Sequence, residues 1–549
     1  MKLEKAQFRV LYREFLLRIV DIDILPNPGD SLKLMGQIAA LLAAFNALFG
    51  MSVRRFAEMD GSFEKKLTAA WGLESFLMAT TMLTVGLLAV LCWDNAFPDR
   101  RDVLVLGSLP VKASTILRAK LAALGSMFSM AVLSVNLFTG FSFPMILGGM
   151  HGGRMRWLAA WWVTAFAAGL FVFGTLLALQ GLVATLLPRR YGMRISGLLQ
   201  MGAFVGLLAG FFLQPPLQID SFAAGLLPSF WFLGLLSVLN GSADWAAPVV
   251  AALAWKAFLA VGLAIGGALL SLSLAYRSMA RKLVEEPDIV ANTGRAWDAP
   301  WPRSALHRAV LQFSWRSLAR SRQMRLILAL YSGVGLALAM TAVKRGRWNE
   351  ASESLLGASI IFLMAVGVGA RVVFAMPLHL RANWVFQVTQ VEPISRYLSA
   401  IRLTFFVIGT VGPIVVATVL LLWIWPAQTV VGHAVVLTMI AWVLGEFCLK
   451  AFSKIPFTCS YLPGQSGLHM RAGAFALVLV AVTEIFTVAE RRALGDFRAY
   501  LWVCGFLVAL GAWASWKTRS AAEDIRYEEV EVAEVQPLSL QRDGAWLGK

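Results

Sequence analysis

Residues 221–240 read SFAAGLLPSFWFLGLLSVLN, an apolar run nearly long enough to cross a bilayer, interrupted by Pro228 and closed by Asn240. The reading of this run decides the architecture. Taken as a span, it reverses the orientation of everything after it and puts the ten Lys and Arg of residues 277–325 outside. Basic loops resist translocation, so that arrangement is costly. Taken as an outer-face re-entrant or interfacial helix, it leaves those cations inside and yields twelve spans; the alternative is a thirteenth.

The rest of the chain supports the membrane reading. Of 549 residues, 58% are hydrophobic and 15% charged, with a mean hydropathy of +0.69, outside the range of soluble proteins. Apolar runs of spanning length lie at about 34–53, 68–92, 119–140, 157–186, 197–214, 248–276, 326–343, 353–377, 402–425, 430–449, 470–488 and 499–516. The expected fold is an all-α polytopic membrane protein of about twelve transmembrane helices in two six-helix halves. The formal charge of +17 would suggest nucleic acid in a soluble protein, but here it is an orientation signal. With the N-terminus inside, 35 of the 49 Lys and Arg fall in inner segments and 12 in outer ones, which places both termini in the cytoplasm. The first 33 residues lack a short apolar core with a small-residue cleavage site, so no cleavable leader is expected.

Both halves follow one plan. In the first half (1–276), Phe8, Leu11, Tyr12, Phe15 and Ile19 recur at helical spacing with Arg9, Arg13 and Arg18 on other faces, so residues 4–20 are expected to form an interfacial helix ahead of spans 34–276. A polar, Pro-bearing linker (277–304) leads to the second half (305–516), which opens with a similar basic amphipathic stretch at 305–322. An acidic tail (517–549) closes the chain, with seven Asp and Glu against five cations.

The inner loops after the second span of each half, 93–120 and 378–402, also correspond. Leu109-Pro110-Val111 aligns with Glu392-Pro393-Ile394, and Lys120-Leu121 with Arg402-Leu403. In each, a proline is expected to open a short helix parallel to the membrane, since its missing amide hydrogen costs nothing in a first turn. A cation then leads into the next span.

FPDRRDVLVLGSLPV at 97–111, ANWVFQVTQVEPIS at 382–395, the two amphipathic stretches and LLPSFWFLGLL at 226–236 resemble the permeases of type 2 ABC exporters, here with two six-span units fused. The outer loop EIFTVAERRALGDFR departs from that pattern, having no apolar re-entrant segment. The resemblance implies that 93–120 and 378–402 are coupling loops, with Asp99, Arg100, Arg101, Asp102, Leu109, Pro110, Val111, Lys120, Glu392, Pro393, Ile394 and Arg402 facing an ATPase. The chain has no Gly-x-x-x-x-Gly-Lys-Ser/Thr loop, its one Gly-Lys being Gly548-Lys549. ATP and Mg would therefore be bound by a partner, two copies of a cytoplasmic nucleotide-binding subunit. This chain would carry no cofactor and no catalytic residue, in a bacterial cytoplasmic (inner) membrane with lipid as its other partner. For Arg100 and Arg101, topology and helix capping are equally good readings.

Ionisable residues within spans ask for a role. Glu74 is expected at a solvated interface. Lys256 can snorkel outward or pair with Glu484, and Glu446 can pair with Lys450 one turn on. His433 has no companion at metal-ligand spacing, and the four cysteines are too scattered for a disulfide framework. Trp157, Trp161, Trp162, Trp423 and Trp425 fit interfacial belts; Gly202, Gly206 and Gly210 read as a close-packing face, or more sharply as part of a pathway. Two other classes compete: a twelve-span secondary transporter of the major-facilitator type, and a membrane-embedded transferase or assembly factor. The first wants a short Gly- and Arg-rich loop and carboxylates in the early spans, the second clustered acids or histidines at the membrane face.

Overall fold

A computed structural model describes residues 2–20, 62–93, 109–151, 153–187, 189–212, 225–242, 247–285, 304–345, 351–376, 394–449 and 468–520, with positions 58, 60, 106 and 214. Among the described residues the protein is all helix: α1 Lys2–Val20, α2 Phe63–Leu91, α3 Ala113–Asn136, α4 Thr139–His151, α5 Arg154–Leu186, α6 Arg189–Phe212, α7 Pro228–Asn240, α8 Ala247–Glu285, α9 Ala305–Arg320, α10 Arg322–Arg345, α11 Ala351–Phe374, α12 Ile394–Gly409, α13 Val411–Leu421, α14 Ala427–Cys448, α15 Leu468–Gly495 and α16 Phe497–Ser520. Ten stretches among them are long and apolar enough to cross a membrane, one of them composed of α12 and α13 together. They coincide with ten of the twelve expected spans; 34–53 lies outside the described residues, and 470–488 falls within α15. The molecule is a polytopic all-α membrane protein. Its large exposed side chains, among them Trp255, Phe258 and Leu263 on α8 and Trp502 and Phe506 on α16, are the apolar outer faces that lipid requires.

The chain divides into two compact units: Met1–Ala296 with Arg325–Ala365, and Trp297–Met324 with Val366–Lys549. α10 and the first part of α11 thus group with the helices of residues 1–296.

In the first unit α5 is the central post, packed by α2, α4, α7 and α8. Its contact with α8 depends on two small residues. A Cβ on Gly174 would come within 3.1 Å of the Ala264 backbone, and one on Gly181 within 2.5 Å of Ser271. Both pairs advance by seven residues in the same direction, so the two helices run parallel with a heptad-spaced seam. Gly202, Gly206 and Gly210 form no such seam: a Cβ on any of them meets nothing. α6 packs instead through Phe204 and Leu208, the latter against Gly333 of α10.

The decisive run at 221–240 contains α7, opened by Pro228 and ended by Gly241 at φ 85°. Thirteen residues rise about 20 Å, short of a hydrocarbon core of about 30 Å. Phe230, Phe232, Leu233 and Leu236 are buried, so α7 is embedded in the unit. A second short helix, α4, follows α3 after a turn at Leu137 and Phe138, where a loop was expected.

In the second unit the expected continuous span 402–425 breaks at Thr410, between α12 and α13. Pro413 has no amide hydrogen to donate to Gly409 four residues back, and its ring crowds that carbonyl. The Phe406 carbonyl accepts both the Thr410 amide at 3.1 Å and the Thr410 hydroxyl at 2.6 Å, where α12 ends.

Candidate functional site

Pro110 does not open a horizontal helix: Leu109 and Pro110 form an exposed bend, Lys112 is extended, and from Ala113 the chain is one helix through Asn136. The first turns of what was expected to be a separate helix are the base of the span itself. α12 likewise starts at Ile394 and continues past Arg402. Asp99, Arg100, Arg101, Asp102, Glu392 and Pro393 lie outside the described residues, and Val111 is half-buried.

α1 docks on α3 at this base. The Lys112 ammonium sits 2.7 Å from Glu4 Oε1, Gln7 Nε2 donates to the Pro110 carbonyl at 3.4 Å, and the Tyr12 and Ser126 hydroxyls meet at 2.9 Å. The hydrogen bond and charge of Lys112 hold the Glu4 carboxyl below its ordinary range. Leu11 and Phe15 are buried in the joint, and the buried Lys120 ammonium stands 5.5 Å from the centre of the Phe15 ring. Lys120 is therefore part of the helix joint.

The second unit repeats the joint. α9 packs on α12, burying Val310, Leu311 and Leu318, and the Ser399 hydroxyl lies 3.1 Å from His307 Nε2. Arg402, which the sequence aligns with Lys120, also turns inward: its Nε is 3.5 Å from Glu446 Oε2, too poorly aligned for a hydrogen bond. Arg402 thus takes the role expected of Lys450, which lies outside the described residues.

The intramembrane candidates separate sharply. Lys256 is exposed and donates to the Gly225 carbonyl at 3.2 Å, and Glu484 is exposed. Glu74 is 1% exposed, which corrects its expected place at a solvated interface. Among the described residues neither of its carboxyl oxygens has a hydrogen-bond partner. Two turns on, the same helix carries a satisfied network. Asn136 Nδ2 donates to Thr81 Oγ1 and to the Val132 carbonyl, each at 3.0 Å, and the Trp161 indole donates to Asn136 Oδ1 at 3.3 Å.

One pair was invisible along the sequence. His433 Nδ1 lies 2.7 Å from Glu490 Oε1, both buried, and ties α14 to α15. Beside it the Tyr500 hydroxyl donates to the Gly432 carbonyl at 3.1 Å, bringing in α16, and the Trp425 ring meets the His433 ring edge-on. The partners are 57 residues apart, beyond any spacing rule for metals or helices. Trp157 and Trp161, expected at the membrane surface, are core residues, while Trp423 is exposed.

No family model, curated protein or solved structure matches the chain.

Proposed function

We propose that the chain is the membrane-spanning permease subunit of an ATP-driven exporter of the type 2 ABC kind. It would lie in a bacterial cytoplasmic membrane with both termini inside and work with two copies of a separate nucleotide-binding subunit. One observation carries this reading: in each unit an amphipathic helix docks on the base of the helix that leaves a proline-bearing inner loop, through Glu4, Gln7 and Tyr12 in one and His307 in the other. A loop seated on such a joint can pass a push from a soluble partner into a span, because neither helix moves without the other. The apolar interior suits hydrophobic or amphipathic cargo.

Purification under mild detergent tests this. The expected result is a complex with an ATP-hydrolysing subunit, lost on charge reversal at Asp102; full transport activity without any ATPase overturns it. A secondary transporter is the second reading, favoured by Glu74 as a buried carboxylate in an early span.

A further inference from the structure

Glu74 calls for a role that the exporter reading does not supply. It lies nine residues into the span Lys65–Leu91, about 14 Å along the helix axis. α2 packs against α3, α4, α5, α6 and α7. The cations on those helices stand at helix ends: Arg118 and Lys120 on α3, Arg154 and Arg156 on α5, and Arg189, Arg190 and Arg194 on α6, with His151 closing α4 and no charge on α7. Those whose contacts are described are engaged elsewhere. Lys120 lies over Phe15, Arg118 donates to the Ser114 carbonyl, and Arg156 donates to the Leu239 carbonyl at 2.8 Å. Lys65 and Lys66 stand two turns or more away on α2 itself, and Lys256 on α8 is bound to Gly225.

Other polar atoms on the helices packed against α2 share the condition of Glu74. Among the described residues the hydroxyls of Thr139 and Ser142 on α4, Thr164 on α5 and Ser229 on α7 are buried without a hydrogen-bond partner. The satisfied Thr81, Asn136 and Trp161 network shows that the same helices can pair their polar groups. An ionised carboxylate in such a place costs far more than a neutral acid with unmade hydrogen bonds. An apolar side chain of the same shape would avoid even the smaller cost. The ligand that removes the larger cost and needs no cavity is a proton.

We propose that Glu74 is a proton-binding site. The helices packed on α2 close around the neutral acid, and loss of the proton opens its surroundings to water. The step balances simply: a proton leaves the carboxyl oxygen for water, and the carboxylate left behind is hydrated only in the open arrangement. This goes beyond the exporter reading and holds for either transport class.

Two measurements on the full chain in lipid test it. First, the infrared difference between wild type and Glu74→Gln at neutral pH should contain the C=O stretch of a protonated carboxyl, shifted in Glu74→Asp; its absence overturns the proposal. Second, Ser75→Cys, next to Glu74 on α2 and itself buried, is labelled with a water-soluble maleimide across a pH series, with and without Glu74→Gln. The ratio of the two rates cancels the thiol's own titration. It should rise about tenfold per pH unit up to the carboxyl midpoint and then level off, because the open population follows the ionised fraction. Coincident profiles overturn the proposal. If the Gln variant does not fold, Glu74→Asp serves as the second arm, expected to keep the pH dependence with a displaced midpoint. An unchanged midpoint counts against Glu74. Neither readout involves ATP or a partner chain, so failure here is distinguishable from failure of the exporter reading.

Discussion

The two helix joints, α1 on α3 and α9 on α12, have the same architecture and different chemistry. The first is held at its rim by an exposed ion pair, Glu4 with Lys112, and at its centre by the Phe15 ring and the Tyr12 hydroxyl. The second has a histidine-to-serine contact at the joint, and α12 carries a charge further on, where Arg402 meets the 5% exposed Glu446 of α14. Burial decides what each charge contributes. An exposed pair is screened by water, whereas a buried charge that loses its partner is left stranded. The first joint is therefore expected to depend on packing, and α12 of the second joint on the ion pair that ties it to α14.

The sharpest test of that contrast is Glu446→Ala, which leaves the Arg402 guanidinium in an apolar bundle; a loss of about 3 kcal/mol is expected, read as a lowered unfolding midpoint in detergent. Removing both charges, with Arg402→Met and Glu446→Leu, should recover most of the loss. In the first joint the largest effect belongs to Phe15→Ala, about 3 kcal/mol from the cavity and lost ring contacts. Faster hydrogen exchange in α1, with the second unit unchanged, would show it. Tyr12→Phe should cost about 1 kcal/mol, as one hydrogen bond to Ser126 disappears, by the same exchange measurement.

Smallest of all should be Lys112→Ala, below the resolution of a melting curve at neutral pH. Its pH dependence is still defined. The Glu4 carboxyl is held below its ordinary value of 4.5, so whatever the pair contributes is present above that value and lost as pH falls through the lowered one. The difference in α1 exchange between wild type and Lys112→Ala should therefore vanish on acidification. A larger effect than Phe15→Ala would reverse the assignment of the first joint to packing.

Much of this arrangement was legible residue by residue. Phe8, Leu11, Tyr12 and Phe15 predicted an amphipathic α1, and the apolar runs predicted the spans, because transfer into lipid depends on local composition. The break at Thr410 had its signals in Gly409, Gly412 and Pro413, masked by the hydropathy of the run around them. Glycine spacing misled. Gly202, Gly206 and Gly210 have the better motif, yet Gly174 and Gly181 make the close seam, since a small residue matters only where another helix arrives. The candidate sites shifted most: Lys120 and Arg402 were expected to face a partner and instead turn into their own units.

By itself the sequence determined that this is an all-helical membrane protein, where most of its spans run, and that amphipathic helices form at Lys2–Val20 and Ala305–Arg320. Those properties follow from the free energy of placing short stretches of chain in water or lipid. Which charges are paired was decided only by the tertiary structure: Glu446 with Arg402, His433 with Glu490, and Glu74 with no partner among the described residues. Pairing depends on what folding brings within a few ångströms, and residues tens of positions apart have no local signature of meeting.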